Sequence, residues 1–299
     1  MPTSAARAHQ EADSLQTVEQ YSSRNQVDPD QAASRRIPAG LDVSTPNVAR
    51  MYDYFLDGKD NFAADRAAGD QVLALVPAVR RTVLENRRFL RRTVRFLAAE
   101  AGIGQFLDIG VGLPTQGAVH EVAHEVNPEA RVAYVDYDPV VVSHGNALLA
   151  EPDRSVVVQA DLRRPAELLS LPAIREHVDF SRPVALLLVA ILHFVSDDDD
   201  PGGIMATLRE ALAPGSYLVL SHVSNDRLDD PEAAERVRKL YAESSQPLWA
   251  RPREEVLHFF DGIELVEPGL VPAYEWRPVT GEAPAGVADF GWGGVGRKA

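Results

Sequence analysis

Cysteine is absent from the 299 residues, which removes disulfides, thiolate metal sites and cysteine nucleophiles from consideration. A reducing, intracellular compartment is the natural expectation. Positive charge is scarce: 30 Lys and Arg face 44 Asp and Glu, for a formal net charge of −14. Nucleic-acid binding depends on neutralising phosphates, so no DNA or RNA partner is expected. Long apolar runs are missing too. The longest, Val184 to Leu192 and on through His193 to Val195, is too short to span a bilayer and reads as a buried strand. Residues 1–25 are polar, with scattered acids and no apolar centre, which does not fit a secretory signal. The expectation is a cytoplasmic protein with no membrane partner.

What is present is ordinary for a folded chain. Hydrophobic residues make up 45%, and a chain of this length buries most of its apolar surface without covalent staples. Residues 1–40 are rich in Ala, Ser, Gln, Asp and Arg with little apolar period, which predicts a flexible tail. Residues 41–100 read as helical. Asn47 to Leu56 places Val48, Met51, Tyr52 and Phe55 at helical spacing. Arg66 to Leu75 and Arg80 to Ala99 read as two more helices, the last stopped by Gly102 and Gly104.

From residue 101 the period changes. Strands are expected at Gln105–Ile109, Arg131–Val135, Ser155–Gln159, Pro183–Leu192 and Ser216–Ser221. Helices are expected at Ala118–Val126, Pro139–Leu149 and Pro201–Leu212, with Asp200 as N-cap and Pro201 in the first turn. Residues 231–260 read as mostly helical, and two late strands, near Ile263–Val266 and Phe290–Arg297, read as an antiparallel edge. Strands alternating with helices predict a doubly wound, mostly parallel sheet of Rossmann-like α/β class over residues 101–299.

In such a sheet, ligands lie beyond the carboxyl ends of the strands. Asp108-Ile109-Gly110-Val111-Gly112 falls at the end of the first strand, where glycines let backbone approach a ligand closely. Asp136 ends the second strand, placed to accept both ribose hydroxyls. Asp161, followed by Leu162, ends the third, placed to accept an adenine amine and cover its ring. Asp108 itself can face a cationic end. The dinucleotide fingerprint needs Gly or Ala at position 115, and the chain has Thr115 after Pro114. No phosphate-binding lysine follows, which excludes a P-loop. Three acids at three successive strand ends favour a nucleoside over a mere tight turn.

The series Asp108-Ile109-Gly110-Val111-Gly112, Val135-Asp136, Ala160-Asp161-Leu162, Leu192-His193 and Leu212-Ala213-Pro214-Gly215-Ser216 resembles the motifs of Rossmann-like methyltransferases. Three stretches resemble one bacterial family of S-adenosyl methyltransferases, long described as a domain of unknown function. They are Ala49-Arg50-Met51-Tyr52-Asp53-Tyr54-Phe55-Leu56-Asp57-Gly58-Lys59-Asp60-Asn61-Phe62, Asn86-Arg87-Arg88-Phe89-Leu90-Arg91-Arg92 and Gly112-Leu113-Pro114-Thr115. The resemblance covers about residues 45–298. It implies a seven-stranded sheet with a reversed last strand, S-adenosyl-L-methionine as cofactor and a methyl acceptor, expected to be a small molecule. The usual methyltransferase loop often carries a third glycine where this chain has Pro114.

Within that resemblance Asp108, Gly110 and Gly112 are assigned the methionyl end, Asp136 the ribose, and Asp161 with Leu162 the adenine. Arg87 is the candidate for the cofactor's carboxylate, because a guanidinium matches a carboxylate bidentately. Its rival reading is one more charge on a solvated arginine face. His193 is the candidate base, since an imidazole titrates near neutral pH. Its rival reading is a structural histidine at a strand end, and His222 is a second candidate. Tyr52 and Tyr54 lie in the helical segment expected to cover the site. Two alternatives remain open: a non-catalytic S-adenosylmethionine-binding regulator, and a zinc hydrolase using His120-Glu121-Val122-Ala123-His124. In the second, Val119, Val122, Ala123 and Val126 form the apolar stripe, so the two histidines are expected to point away from the core. No metal is expected. The acids Asp197 to Asp200 lack the glutamate that a calcium loop needs at Leu208. The acceptor atom and the oligomeric state are not legible.

Overall fold

Five strands are apolar nearly throughout, which is what a parallel sheet covered on both faces requires. β1 (Gln105–Ile109) is buried at all five positions and pairs in parallel with β2 (Arg131–Asp136) and with β4 (Ala185–Val189). β3 (Ser155–Gln159) adds beside β2, and β5 (Tyr217–Val223) beside β4. The computed structural model describes residues 41–114, 117–228, 230–279 and 290–299. The expected tail at 1–40 and the position of Thr115 lie outside the described residues.

The reversed strand is β8 (Gly291–Lys298), antiparallel to β5. It is not an edge. β6 (Ile263–Leu265) pairs on its far side, giving the order β3-β2-β1-β4-β5-β8-β6. A two-residue strand, β7 (Val271–Pro272), also pairs with β8 and raises the expected seven strands to eight. β8 threads this crowded place because it is glycine-rich. A Cβ on Gly296 would lie 2.4 Å from Ile263.

Helices pack both faces of the sheet. α1 (Val48–Phe55), α2 (Ala63–Leu75) and α3 (Val79–Ala99) come first in the chain. Phe89, Leu90, Val94 and Leu97 of α3 share one core layer with α4 (Val119–His124) and the sheet. α5 (Pro139–Leu148) follows β2. Two Pro-started helices, α6 (Pro165–Ser170) and α7 (Pro172–His177), cover the opposite face together with α8 (Pro201–Ala211) and α10 (Arg253–His258). Neither α6 nor α7 is expected from the sequence. The region 231–260 is α9 (Pro231–Ala242) and α10, parted by a non-helical stretch holding Pro247 and Pro252.

The start of α3 belongs to a third cluster with α1, α2, α9 and Phe290. α1 and α2 are held by their own charges. Asp65 is fully buried, and its carboxylate accepts from Asn47 N, Phe62 N and Arg50 Nε, each at 2.8 Å. Asp53 accepts from Asp60 N and Asn61 Nδ2, and the close approach of Gly58 leaves no room there for a Cβ. The expected helix boundaries hold to within about three residues along this part. Among the described residues no helix is long and apolar enough to cross a membrane.

β4 is shorter than expected. It stops at Val189 because Ala190 takes φ 59°, a left-handed conformation, and turns its N–H to Ser221 Oγ at 2.9 Å. Leu192–Phe194 then form a turn of 3₁₀ helix, so His193 lies beyond the strand rather than at its end.

Candidate functional site

The carboxyl ends of β1, β2 and β4 open into a cavity of about 130 Å³, lined also by α1 and α3. Arg87, Asp108, Gly110, Gly112, Asp136, Asp161 and Leu162 all lie on its wall. Gly110 and Gly112 have φ of 81° and 66°, the region that favours glycine. A Cβ on Gly110 would also come within 2.5 Å of Ile191.

The three acids differ in state. Asp136 is fixed by two backbone donors, Gly112 N–H on Oδ2 and Asp138 N–H on Oδ1, both at 3.0 Å. Burial raises its pKa against those bonds. Asp108 is buried, and desolvation lifts its carboxyl to about 7, opposed by Arg87 and assisted by Asp136. Asp161 is more exposed and is gripped by Arg163, whose Nε and Nη2 reach both oxygens at 2.7–3.1 Å. Burial works to raise its pKa, and the bonds and charge of Arg163 overcome this and lower it.

Arg87 is set apart from its neighbours on α3. Arg80 pairs with Asp57, Arg81 and Arg88 with Glu85, Arg91 and Arg95 with Glu125. Arg92 donates to the carbonyls of Trp276 and Ala273. Among the described residues Arg87 makes no hydrogen bond or ion pair, and it faces the cavity that holds Asp108. Arg87 thus differs from the paired arginines of α3 in lining the cavity without a partner among the described residues.

Three features of this wall carry no periodic signal in the sequence. Tyr137, directly after Asp136, is 39% exposed and borders the cavity with Arg163 over its ring. Asn47, the N-cap of α1, donates to Asp138 Oδ2 at 2.7 Å and ties the first helix to the end of β2. Asn86, buried on α3, borders the cavity from within one of the family-like stretches.

A second cavity, of about 90 Å³, adjoins the first. Val48, Tyr52, Asn86, Ala190 and Phe194 line both. Hydrogen bonds order this shared wall. Ala190 N donates to Ser221 Oγ, Ser221 Oγ donates to Asn86 Oδ1 at 2.6 Å, and Asn86 Nδ2 donates to Tyr52 OH at 2.9 Å. That chain leaves the Tyr52 hydroxyl proton directed only at Val83 O, a long 3.4 Å bond. Burial raises the Tyr52 pKa, so the phenol stays protonated.

His193 lines the second cavity, not the first. Burial, with His222 and Arg251 beside it, pushes its pKa well below the usual range. Its Nδ1 accepts from Val223 N at 3.4 Å, so in the neutral ring Nε2 carries the proton. Such a ring donates a hydrogen bond readily and is a poor base. His222 is spoken for: Nδ1 donates to Val223 O at 2.7 Å, Nε2 lies 3.3 Å from Arg251 Nη1, and burial takes its pKa to about 3.

The H-E-x-x-H segment is structural, and His120 is not turned outward as expected. It is buried, with Nδ1 2.7 Å from Tyr134 OH, while His124 Nε2 meets Ala130 O at 2.9 Å. Glu121 accepts from Gly117 N and Ala118 N at the start of α4. Among the described residues no three His, Cys, Asp or Glu gather as metal ligands. Asp200 caps α8, accepting from Gly203 N at 2.9 Å.

Comparison with known proteins places this arrangement. The profile of a family described as S-adenosyl methyltransferase matches residues 34–299. A crystal structure of a candidate methyltransferase from Thermobifida fusca YX is 45% identical, covering 89% of this chain and 99% of its own, with TM-score 0.81. A DUF574 family protein from Streptomyces avermitilis MA-4680 is 42% identical, covering 86% of this chain and 99% of its own, with TM-score 0.82. No curated protein matches the chain significantly.

Proposed function

The chain belongs to the S-adenosyl methyltransferase family, and from that premise we propose that it methylates a small molecule held in the second cavity, with the cofactor in the first. The observation that carries this reading is the pair of adjoining cavities, one edged with charge and one lined, among the described residues, by no charged side chain, meeting at Tyr52, Asn86 and Ala190. S-adenosylmethionine, when bound, supplies a methyl group already activated by its sulfonium.

The first cavity fits that cofactor residue by residue. Arg87, unpaired by protein, is suited to a carboxylate. Asp108 gains most from a cation, since a neighbouring positive charge restores the ionised form that burial disfavours. Asp136, held by two backbone N–H groups, keeps lone pairs for the ribose hydroxyls. Leu162 and Tyr137 flank the place for an adenine, and Gly110 and Gly112 admit the backbone close to the ligand. Asp161 reaches an adenine amine by yielding part of its grip on Arg163, an exposed pair that exchanges easily. The helical segment at 41–100, with α9, covers the acceptor side. His193 touches the acceptor as a hydrogen-bond donor. Orientation of the acceptor across the shared wall then does most of the work.

Titration calorimetry tests the cofactor assignment. S-adenosylmethionine and S-adenosylhomocysteine should bind and NAD should not. Arg87→Ala should weaken both sulfur nucleosides by about ten- to a hundredfold, the loss of one charge-assisted contact. Binding of NAD in their place, or no loss in the Arg87 variant, would refute the assignment.

A further inference from the structure

Building on the placement of the acceptor in the second cavity, we propose the class of that acceptor: a ring-sized phenol or enol, uncharged elsewhere. Its reacting oxygen lies at the Tyr52–Asn86–His193 end, and a second, hydrogen-bond-accepting substituent lies at Thr82.

Charge is the first reason. The first cavity is edged by Asp53, Arg87, Asp108, Asp136, Asp138, Asp161 and Arg163. Among the described residues no Asp, Glu, Lys or Arg lines the second. Its two histidines are held neutral by burial. An ammonium, carboxylate or phosphate on the acceptor would enter apolar surroundings of Val, Phe, Leu and Tyr side chains with nothing to pair with it, which is costly. A neutral ring loses nothing there and gains from the Phe and Tyr side chains.

Thr82 is the second reason. Its side chain lines this cavity and is 7% exposed, and its hydroxyl has no hydrogen-bond partner. A threonine inside a helix ordinarily bonds back to the carbonyl one turn earlier, and this one does not. Buried hydroxyls left unmet are uncommon enough to call for an explanation, and a polar group on the acceptor provides one once the Thr82 side chain turns its hydroxyl toward the cavity that the residue lines. Thr82 and Asn86 are four residues apart on α3, so their Cβ atoms are neighbours about 5–6 Å apart. That is roughly the breadth of one six-membered ring carrying substituents on opposite sides.

The third reason is that, among the described residues, neither the shared wall nor the adjoining His193 offers a base. Tyr52 is protonated, and Asn86 and Ser221 are spent on each other and on Ala190. His193 Nδ1 is occupied by Val223 N–H, leaving Nε2–H as a donor. The reacting hydroxyl must therefore release its own proton to water. Phenols and enols, with pKa values of about 10, reach a usable ionised fraction within a few units of neutral pH, and aliphatic alcohols do not. In the transfer, the acceptor oxygen's lone pair forms the bond to the methyl carbon. The carbon–sulfur bond breaks with its electron pair left on sulfur, giving a neutral ether and a neutral thioether. His193 Nε2–H and Tyr52 O–H stabilise the oxyanion before that step.

Four probes that share one phenol ring test the proposal by calorimetry, with and without saturating S-adenosylhomocysteine. They are 4-hydroxyacetophenone, 4-hydroxybenzoate, tyramine and phenol. The neutral ketone should bind at least about tenfold more tightly than the carboxylate or the ammonium. Thr82→Val, which keeps the shape and removes the hydroxyl, should weaken the ketone about tenfold and leave phenol unchanged. A charged probe binding as well as the ketone overturns the proposal. So does a Thr82→Val effect equal for ketone and phenol, which marks a packing role. If that variant does not fold, the ranking of the four probes on the unaltered protein still decides. The S-adenosylhomocysteine titration in the same preparation reports separately on the first cavity.

Discussion

Asp108 carries a strain that the other two strand-end acids avoid. Asp136 has two backbone donors and Asp161 has Arg163, but Asp108 has only the distant charge of Arg87 against its burial. Its folded pKa of about 7 exceeds the ordinary 3.8. A carboxyl raised in the folded state contributes stability that is fully present below the unfolded pKa and is lost as pH climbs through the folded one. The window is therefore about pH 4 to 7, and the loss is on the order of 4 kcal/mol across it. Asp108→Asn should consequently melt close to the unaltered protein near pH 4 and above it at pH 8, a trend that thermal melts at several pH values will show. A bound cation has the opposite preference, favouring the ionised carboxyl. Affinity for S-adenosylmethionine should thus rise between pH 6 and 8 in the unaltered protein. It should be weaker and flat over that range in the Asn variant. A flat profile in both proteins would remove Asp108 from the ligand's cationic end.

At the scale of elements, the longest family-like stretch turns out to be a structural knot. Arg50 and Asp65 are an ion pair with side chains 5% and 0% exposed, and Asp53 organises the turn at Gly58–Asn61. The knot fixes where Asn47 and Tyr52 meet the site, so it acts on function through position. Removing one member of a buried pair strands the other. Asp65→Asn should therefore cost about 3–5 kcal/mol in urea unfolding, and adding Arg50→Met should recover part of that, because the stranded charge is removed while the introduced side-chain amide can still accept from the Asn47 or Phe62 N–H. A loss under about 1 kcal/mol for the single variant would show that the knot does not hold α1 and α2. The same scale explains what could be read in advance. β1 and β3 match their expected limits because buried parallel strands are unbroken apolar runs between turns. β7, with two residues, has no period to detect. α6 and α7 are six residues each, too short for a helical stripe. The expected β4 runs three residues past the strand's carboxyl end because Ile191 and Leu192 continue its apolar run beyond the turn at Ala190.

Across the whole molecule, the two halves of the site differ in legibility for a physical reason. The cofactor side follows one rule of topology, with ligands beyond the strand ends, and its acids interrupt apolar strands where any reader sees them. The second cavity, the proposed acceptor side, is assembled from α1, α3, the turn after β4, α9 and Phe290, brought together only by folding. Its residues are Val, Phe, Tyr and Leu, which in sequence look the same as core. Besides Tyr52, His193 and His222, the signal is Thr82 and Asn86, two polar residues placed a turn apart on the buried side of α3. This assembly also dictates how ligands enter. Val48 and Tyr52 of α1 wall both cavities, and Asn47 links α1 to Asp138 at 2.7 Å. A nucleoside filling the first cavity packs against α1 and holds that link closed, so local opening of α1 must become rarer. Hydrogen exchange followed by mass spectrometry should show amides of residues 48–56 slowed at least tenfold by saturating S-adenosylhomocysteine. Amides of β6, at the far edge of the sheet from β1 and β2, should change little. Asn47→Ala should exchange faster in α1 before ligand is added, and should regain less protection afterwards. Equal slowing of α1 and β6 would mean that the ligand stabilises the molecule globally. In that case α1 is not the element that moves to admit it.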